Sequence, residues 1–144
     1  KVKNVSITTD IIVGFPGETE EDFEETLSLV NECKFDSAFT FIFSPREGTP
    51  ASKMEDKVTI EEKENRLHRL NELVNKYSLE KNKEYVGKTV KVLIEGKSDK
   101  ENVLMGYTDT MKLVNAKGNV DAIGTIVDVK ILDAKTWSLD GEII

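Results

Sequence analysis

Apolar residues change period once along this chain, near Tyr85, and that change constrains the fold more than any other feature. Before it they recur at helical spacing in two stretches, each preceded or followed by short β-branched or aromatic runs. After it they alternate, with Gly96, Gly106, Gly118, Gly124 and Gly141 as punctuation. A mixed α/β part followed by a small all-β part is the arrangement such a pattern allows, with a boundary at residues 82/83. The 144 residues suffice for two small domains.

Taken in order, Val5–Val13 reads as a strand, and Ile11-Ile12-Val13 predicts burial on both of its faces. It runs into Gly14-Phe15-Pro16-Gly17-Glu18, where two glycines and a proline stop it. Thr19 and Asp22 have the spacing of a capping box, and Phe23, Leu27 and Val30 mark the buried stripe of the helix that follows. Ala38–Phe43 predicts a second strand with aromatics on one face and smaller residues on the other. It ends in another Pro/Gly loop, Ser44–Pro50. In a parallel sheet both loops fall at the carboxyl end, where ligands bind. Thr59 and Glu62 open a second capped helix reaching about Lys83. Thr89–Glu95, Val103–Thr108, Met111–Asn115, Thr125–Ala134 and Trp137–Asp140 predict five short strands, the count of a small barrel of the oligonucleotide-binding kind.

Charge and composition exclude several classes. The formal net charge is −7, against a generic nucleic-acid binder. Residues 1–86 carry 12 basic and 18 acidic side chains, whereas residues 87–144 carry 8 and 9. The barrel region is therefore near neutral and free to present a local basic face. No apolar run is long enough for a membrane span, and a cytoplasmic setting is expected. Cys33 alone cannot form an internal disulfide, and it is expected to pack beside Phe35 at a helix end. His68, the single histidine, lies on a charged helix and is expected at the surface. The chain begins at Lys1 and enters a strand almost at once, as an excised part of a longer protein would.

The glycine loop lacks the third glycine and following acid of the dinucleotide fingerprint, and the lysine of a P-loop. Glu18, Glu20, Glu21 and Asp22 would repel a phosphate. Two readings stay open: a tight βα turn without ligand, or a wall for a neutral or cationic one.

Thr9–Thr19, Phe39–Phe43 and Ser44–Ala51 together resemble the late barrel strands of radical SAM methylthiotransferases. Val86-Gly87-Lys88, Gly106-Tyr107-Thr108, Met111–Asn115 and Ala134–Glu142 resemble their TRAM domain. Phe35–Phe41 and Ala134–Leu139 resemble the MiaB-like, tRNA-modifying branch more than the branch acting on a ribosomal-protein aspartate. The resemblance implies part of a radical SAM βα barrel over residues 1–82 and a TRAM barrel over 83–144. It implies a full-length enzyme that adds a methylthio group to C2 of isopentenylated adenosine beside the tRNA anticodon. That enzyme would use S-adenosylmethionine and two 4Fe–4S clusters. Neither cysteine set for those clusters is in this chain, so the chain alone is expected to hold no cofactor and to be inactive. The resemblance assigns Gly14, Phe15, Pro16, Gly17, Glu18, Ser44, Arg46 and Thr49 to the S-adenosylmethionine pocket, with a salt bridge from Arg46 to Asp10 or Glu18 as the alternative use of that arginine. It assigns Lys88, Tyr107, Thr108 and Lys112 to tRNA contact, although relatives commonly carry arginine and asparagine at the positions of Tyr107 and Met111. Partners implied are a tRNA anticodon stem–loop, the N-terminal domains of the same protein and, through the cut barrel edge, a second copy. A stand-alone RNA-binding module is the competing class.

Overall fold

A computed structural model describes residues 3–144, so the first two residues of the expected first domain lie outside the described residues. Two compact units result. One is Ile7–Tyr77; the other is Ser78–Ile144 with the described residues ahead of Ile7.

In the first unit, β1 (Thr8–Val13) and β2 (Ser37–Ile42) form a parallel pair with Asp10 opposite Phe39 and Ile12 opposite Phe41. The connection is α1 (Glu20–Cys33), whose capping box is closed as the sequence predicts. Asp22 accepts from the Thr19 amide at 2.8 Å, and the Asp22 amide donates to the Thr19 hydroxyl at 3.1 Å. Lys34, in the left-handed region at φ 48°, ends the helix and donates to the Val30 carbonyl. The second helix, α2 (Ile60–Lys83), starts from the equivalent Thr59–Glu62 box. Phe23, Val30, Leu70 and Val74 bury the facing sides of α1 and α2 against Val13, with Ile11, Ala38 and Ile42 completing the cluster.

Burial on both faces of β1 is corrected here. The alternation that puts Ile11 and Val13 under the helices turns Ile12 outward with Phe39 and Phe41, and these three are 57, 68 and 50 % exposed. One face of the pair is packed and the other is open. Val5 to Ile7 also lie outside the strand, whose pairing with β2 begins at Thr8.

In the second unit, β3 (Thr89–Lys97), β4 (Val103–Thr108), β5 (Leu113–Lys117), β6 (Ile126–Ala134) and β7 (Leu139–Ile143) close into a barrel in the order β3-β4-β5-β7-β6. Four contacts are antiparallel and β5–β7 is parallel. Alternate residues point inward, so Val92, Ile94, Leu104, Val114, Ala116, Val129, Ile131 and Leu139 form one core with at most 1 % exposure. Gly106 is required by that closeness, since a Cβ there would stand 2.1 Å from the Leu93 carbonyl oxygen. Register shifts at Ile94/Gly96 and Ile131/Asp133 mark bulges that bend the sheet toward closure.

Two expected strand members fall in turns. Met111 adopts φ 59° in the β4–β5 turn with 73 % of its surface exposed, and Trp137 is 75 % exposed between β6 and β7. Apolar character alone predicts a strand at both positions, but surface turns hold them instead.

Candidate functional site

The glycine loop is built by residues far from it in sequence. Glu18 turns its carboxylate back on the loop, where one oxygen accepts from the Gly14 amide at 3.0 Å and from Arg66 at 2.8 Å. Arg66 also donates to the Glu18 carbonyl at 3.1 Å. The guanidinium is buried, and its Nε makes no hydrogen bond but lies 3.5 Å from the Glu20 carboxylate. Gly14, at φ 71°, leaves room for the Lys63 stem; a Cβ there would meet Lys63 Cγ at 2.4 Å. Lys63, itself 8 % exposed, pairs with Asp56 and lies 5.9 Å from the Phe43 ring centre. The loop and α2 are thus one ionic construction.

That lattice sets the local acidity. A hydrogen bond from Arg69 holds the Glu20 carboxyl below its ordinary range despite partial desolvation, and Arg66 adds to this. Lys63 does the same for Asp56, and the Thr19 and Thr59 caps do so for Asp22 and Glu62. Arg69 is raised in turn by Glu20, and it lies 4.8 Å from the Phe23 ring centre.

Beside the loop, at the carboxyl ends of β1 and β2, a cleft of about 490 Å³ is lined by residues including Asp10, Ile12, Phe41, Ser44, Arg46 and Thr49. The structure therefore brings together Ser44, Arg46 and Thr49, and the edge-to-face contact of Phe15 with Phe43, at 5.1 Å between centres, ties the glycine loop to the same strand end. Arg46 is exposed, and no ion pair joins it to Asp10 or Glu18 among the described residues. The Thr49 hydroxyl donates to the Arg46 carbonyl at 2.8 Å and so shapes the turn. Pro16 is buried, Gly17 and Phe15 are exposed, and Glu18 is engaged as above. Lys63 and Arg66 are the contributors that sequence reasoning missed. Their only local signal is a pair of basic residues, three apart, on the otherwise apolar stripe of α2.

Cys33 is exposed at the end of α1, which corrects the expected packing role. No three His, Cys, Asp or Glu side chains gather as a metal-ligand set among the described residues. His68 is at the surface, 3.4 Å from Glu72.

On the barrel, Ile126, Leu93, Tyr107 and Leu113 are successive cross-strand neighbours on the outer face. Ile126 is 66 % and Leu93 43 % exposed, and Tyr107 is half-buried between Leu93 and Leu113. Lys88 is exposed, with its ammonium 5.8 Å from the Tyr85 ring centre. The remaining two candidates are placed differently from the expectation. Thr108 is buried, its hydroxyl accepting from the Lys112 amide at 3.0 Å and bonded to Thr110. Lys112 is buried as well. The Thr108 hydroxyl and the Lys112 backbone amide belong to the construction of the β4–β5 turn. On β7, burial raises the Asp140 carboxyl, but hydrogen bonds from Lys135 and Asn115 outweigh it and leave the group below its ordinary range, with a smaller pull from Lys100.

Residues 83–144 match the TRAM domain family, so the barrel is a TRAM domain. Beyond the barrel, the whole chain is similar to curated enzymes of one kind. It is 63 % identical over 142 residues to the tRNA-2-methylthio-N(6)-dimethylallyladenosine synthase of Bacillus subtilis (strain 168), which covers 98 % of this chain and 28 % of that protein. The synthases of the same name from Bacillus velezensis and Halalkalibacterium halodurans are 64 and 60 % identical, covering 96 and 99 % of this chain and 27 % of each relative. The TRAM match covers residues 83–144, and the similarity to these synthases runs through the rest of the chain as well. It spans little more than a quarter of the length of these relatives.

Proposed function

We propose that this chain is part of a tRNA methylthiotransferase that adds a methylthio group to C2 of isopentenylated adenosine beside the anticodon. In this reading residues 1–82 supply strand–helix units of a radical SAM βα barrel, residues 83–144 are the domain that binds tRNA, and the boundary lies at 82/83. The observation that carries it is identity of 60 % or more across almost the whole chain to synthases named for that product. The open face of the β1–β2 pair supports it, because Ile12, Phe39 and Phe41 are suited to packing inside a larger sheet.

S-adenosylmethionine supplies the radical and methyl chemistry of such enzymes when bound, and it carries an ammonium, a carboxylate and a flat aromatic base whose faces suit apolar side chains. The cleft at the strand ends has a group for each: Asp10 for the ammonium, Arg46 for the carboxylate, Ile12 and Phe41 for the base. Ser44 and Thr49 add hydroxyls at its rim. Glu18 serves the pocket indirectly, since its carboxylate is committed to Gly14 and Arg66 and fixes the wall formed by Phe15, Pro16 and Gly17. Iron–sulfur clusters do not fit this chain: its one thiol, on exposed Cys33, cannot supply the several thiolates a cubane needs.

On the barrel, Lys88 offers a cation for phosphate and Tyr107 a ring for stacking. Thr108 and Lys112 set the turn that presents Tyr107. The test is the full-length protein with reconstituted clusters, S-adenosylmethionine and tRNA. Methylthio-adenosine in the tRNA is the expected product. Its absence, with an aspartate of a ribosomal protein modified instead, would overturn the assignment.

A further inference from the structure

The lysines of the barrel are not equivalent. Lys91 pairs with Asp128 at 3.2 Å, Lys130 donates to the Gly87 carbonyl at 2.6 Å, Lys135 is bound to Asp140, and Lys112 is buried. Lys88 lies against Tyr85. The remaining three, Lys97, Lys100 and Lys117, are exposed and in no ion pair among the described residues, and all three line one cleft of about 1060 Å³.

The fold brings them together. Lys97 ends β3, Lys100 sits in the β3–β4 turn, and Lys117 ends β5 opposite Val103 at the start of β4. The turn is fixed by bonds from the Ser98 amide to the Val103 carbonyl and from the Val103 amide to the Lys100 carbonyl, with Asn102 at φ 57°. The Gly118 amide donates to the Asn102 carbonyl, joining the two walls. Asn102 and Asn119 add amide groups to the lining.

We propose that this cleft is a second phosphate-contact site for single-stranded RNA, at the opposite end of the β4–β5 hairpin from Tyr107. The inference rests on the RNA-binding reading above. The two ends are joined by an outward row that passes from Val103 and Lys117 through Met105 and Asn115 to Tyr107 and Leu113. A strand of this length spans about 17–20 Å, and small barrels of this class cover about 4–16 nucleotides. RNA lying along the row has a stacking ring at one end and three exposed cations at the other, of which Lys100 also feels the Asp140 carboxylate. Asp99 and Glu101 share the cleft and temper its charge, leaving three cations against two acids.

The experiment uses the full-length protein and an anticodon stem–loop RNA, with affinity measured across a salt series. Replacing Lys97, Lys100 and Lys117 together by Gln should weaken binding roughly tenfold or more at physiological salt and flatten the salt slope by about 0.7 per lost contact. Lys91→Gln, which removes an equally exposed charge already paired with Asp128, should leave the slope unchanged. Asp99→Asn with Glu101→Gln should tighten binding. If the unaltered protein shows no salt-dependent affinity for RNA, the RNA-binding reading fails and this inference with it. If it binds but the triple variant keeps both affinity and slope, the cleft is overturned and the reading stands. A triple variant that loses affinity for an acidic polypeptide and not for RNA would likewise overturn it, in favour of a protein partner. Because all three lysines are exposed, an unchanged melting profile should accompany the loss.

Discussion

The two units solve the problem of burying polar groups in opposite ways. The barrel fills its interior with eight apolar residues of at most 1 % exposure, and its buried lysine, Lys112, lies apart from them in the β4–β5 turn. The strand–loop unit places Lys63 and Arg66 in its interior, beside the glycine loop, and leaves Ile12, Phe39 and Phe41 uncovered on its sheet. A closed sheet has no edge to protect, and its ion pairs, Lys91–Asp128 and Lys135–Asp140, lie outside the core. A two-stranded sheet that delivers a loop to a cleft must fix that loop from outside the sheet, and α2 does so with cations. The difference separates a closed barrel with a buried apolar core from a strand pair with one packed and one exposed apolar face.

Arg66→Ala attacks the ionic solution directly and should have the largest effect. It strands the Glu18 carboxylate, whose side chain is only 12 % exposed, with the Gly14 amide as its remaining partner. Breaking a buried pair from one side costs about 3–5 kcal/mol. Amide exchange at Gly14 and Glu18 should quicken most, with the barrel's β3 and β6 amides unaffected. Glu18→Gln should cost much less, because an amide oxygen still accepts from both Gly14 and Arg66. Equal loss in the two variants would show that the charge, and not the acceptor, holds the loop.

Ile94→Ala attacks the apolar solution. The side chain is fully buried in the barrel core, and such a truncation costs about 2–5 kcal/mol. Here the expected exchange pattern is reversed, with the barrel amides quickened and Gly14 unchanged. Urea denaturation of both variants gives the totals, and exchange shows where each is lost.

How far each unit is legible in the sequence follows from the same difference. The barrel strands are encoded in alternation of nearest neighbours, so β3, β4 and β6 emerge close to their observed spans. The capping boxes of Thr19 and Thr59 are legible because their partners are three residues away. The Arg66–Glu18 pair spans 48 residues and leaves no local trace beyond a cation on an apolar stripe. Exposure of Ile12 is equally silent, since an apolar outward residue reads as burial whether its cover belongs to this unit or to something else. Thr108 and Lys112 mislead for a third reason. The resemblance puts this threonine and this lysine, both in expected strands, at an RNA surface, whereas the Thr108 hydroxyl accepts from the Lys112 amide and both residues are buried.

Acid sharpens the comparison further, through several small terms. In the strand–loop unit Glu20, Asp22, Asp56 and Glu62 are all held below their ordinary range, by Arg69, the Thr19 cap, Lys63 and the Thr59 cap. In the barrel Asp140 alone is held low among the described residues. A carboxylate depressed in the folded state contributes stability that is fully present above its unfolded value, about 3.9–4.3, and is lost as pH falls through the folded value. Lowering the pH from 7 toward 3 should therefore reduce amide protection, taken relative to the unfolded exchange rate at each pH, in residues 7–77 before the barrel responds. A barrel that opens first would mean that these ionic bonds are not what holds the first unit. The raised groups, Arg69 and Lys135, add nothing in this window, because their contributions persist until pH rises through their folded values.

The smallest effect expected is that of Thr59→Ala. Its hydroxyl accepts from the Glu62 amide at 3.2 Å, while Glu62 accepts from the Thr59 amide at 2.8 Å, and the Lys63 amide donates to the Thr59 carbonyl at 3.0 Å. Losing such a cap costs about 1 kcal/mol, and Thr59→Asn should restore most of it. The position also begins the turn that carries Lys63 to Gly14 and, one turn later, Arg66 to Glu18. If the cap acts only on helix stability, exchange at Gly14 should change no more than that of the α2 amides. If it also sets where the two cations arrive, Thr59→Ala should loosen the glycine loop more than the helix, and the excess should vanish when Arg66 is already absent. That double-mutant cycle separates a helix end that is merely well capped from one that positions the loop.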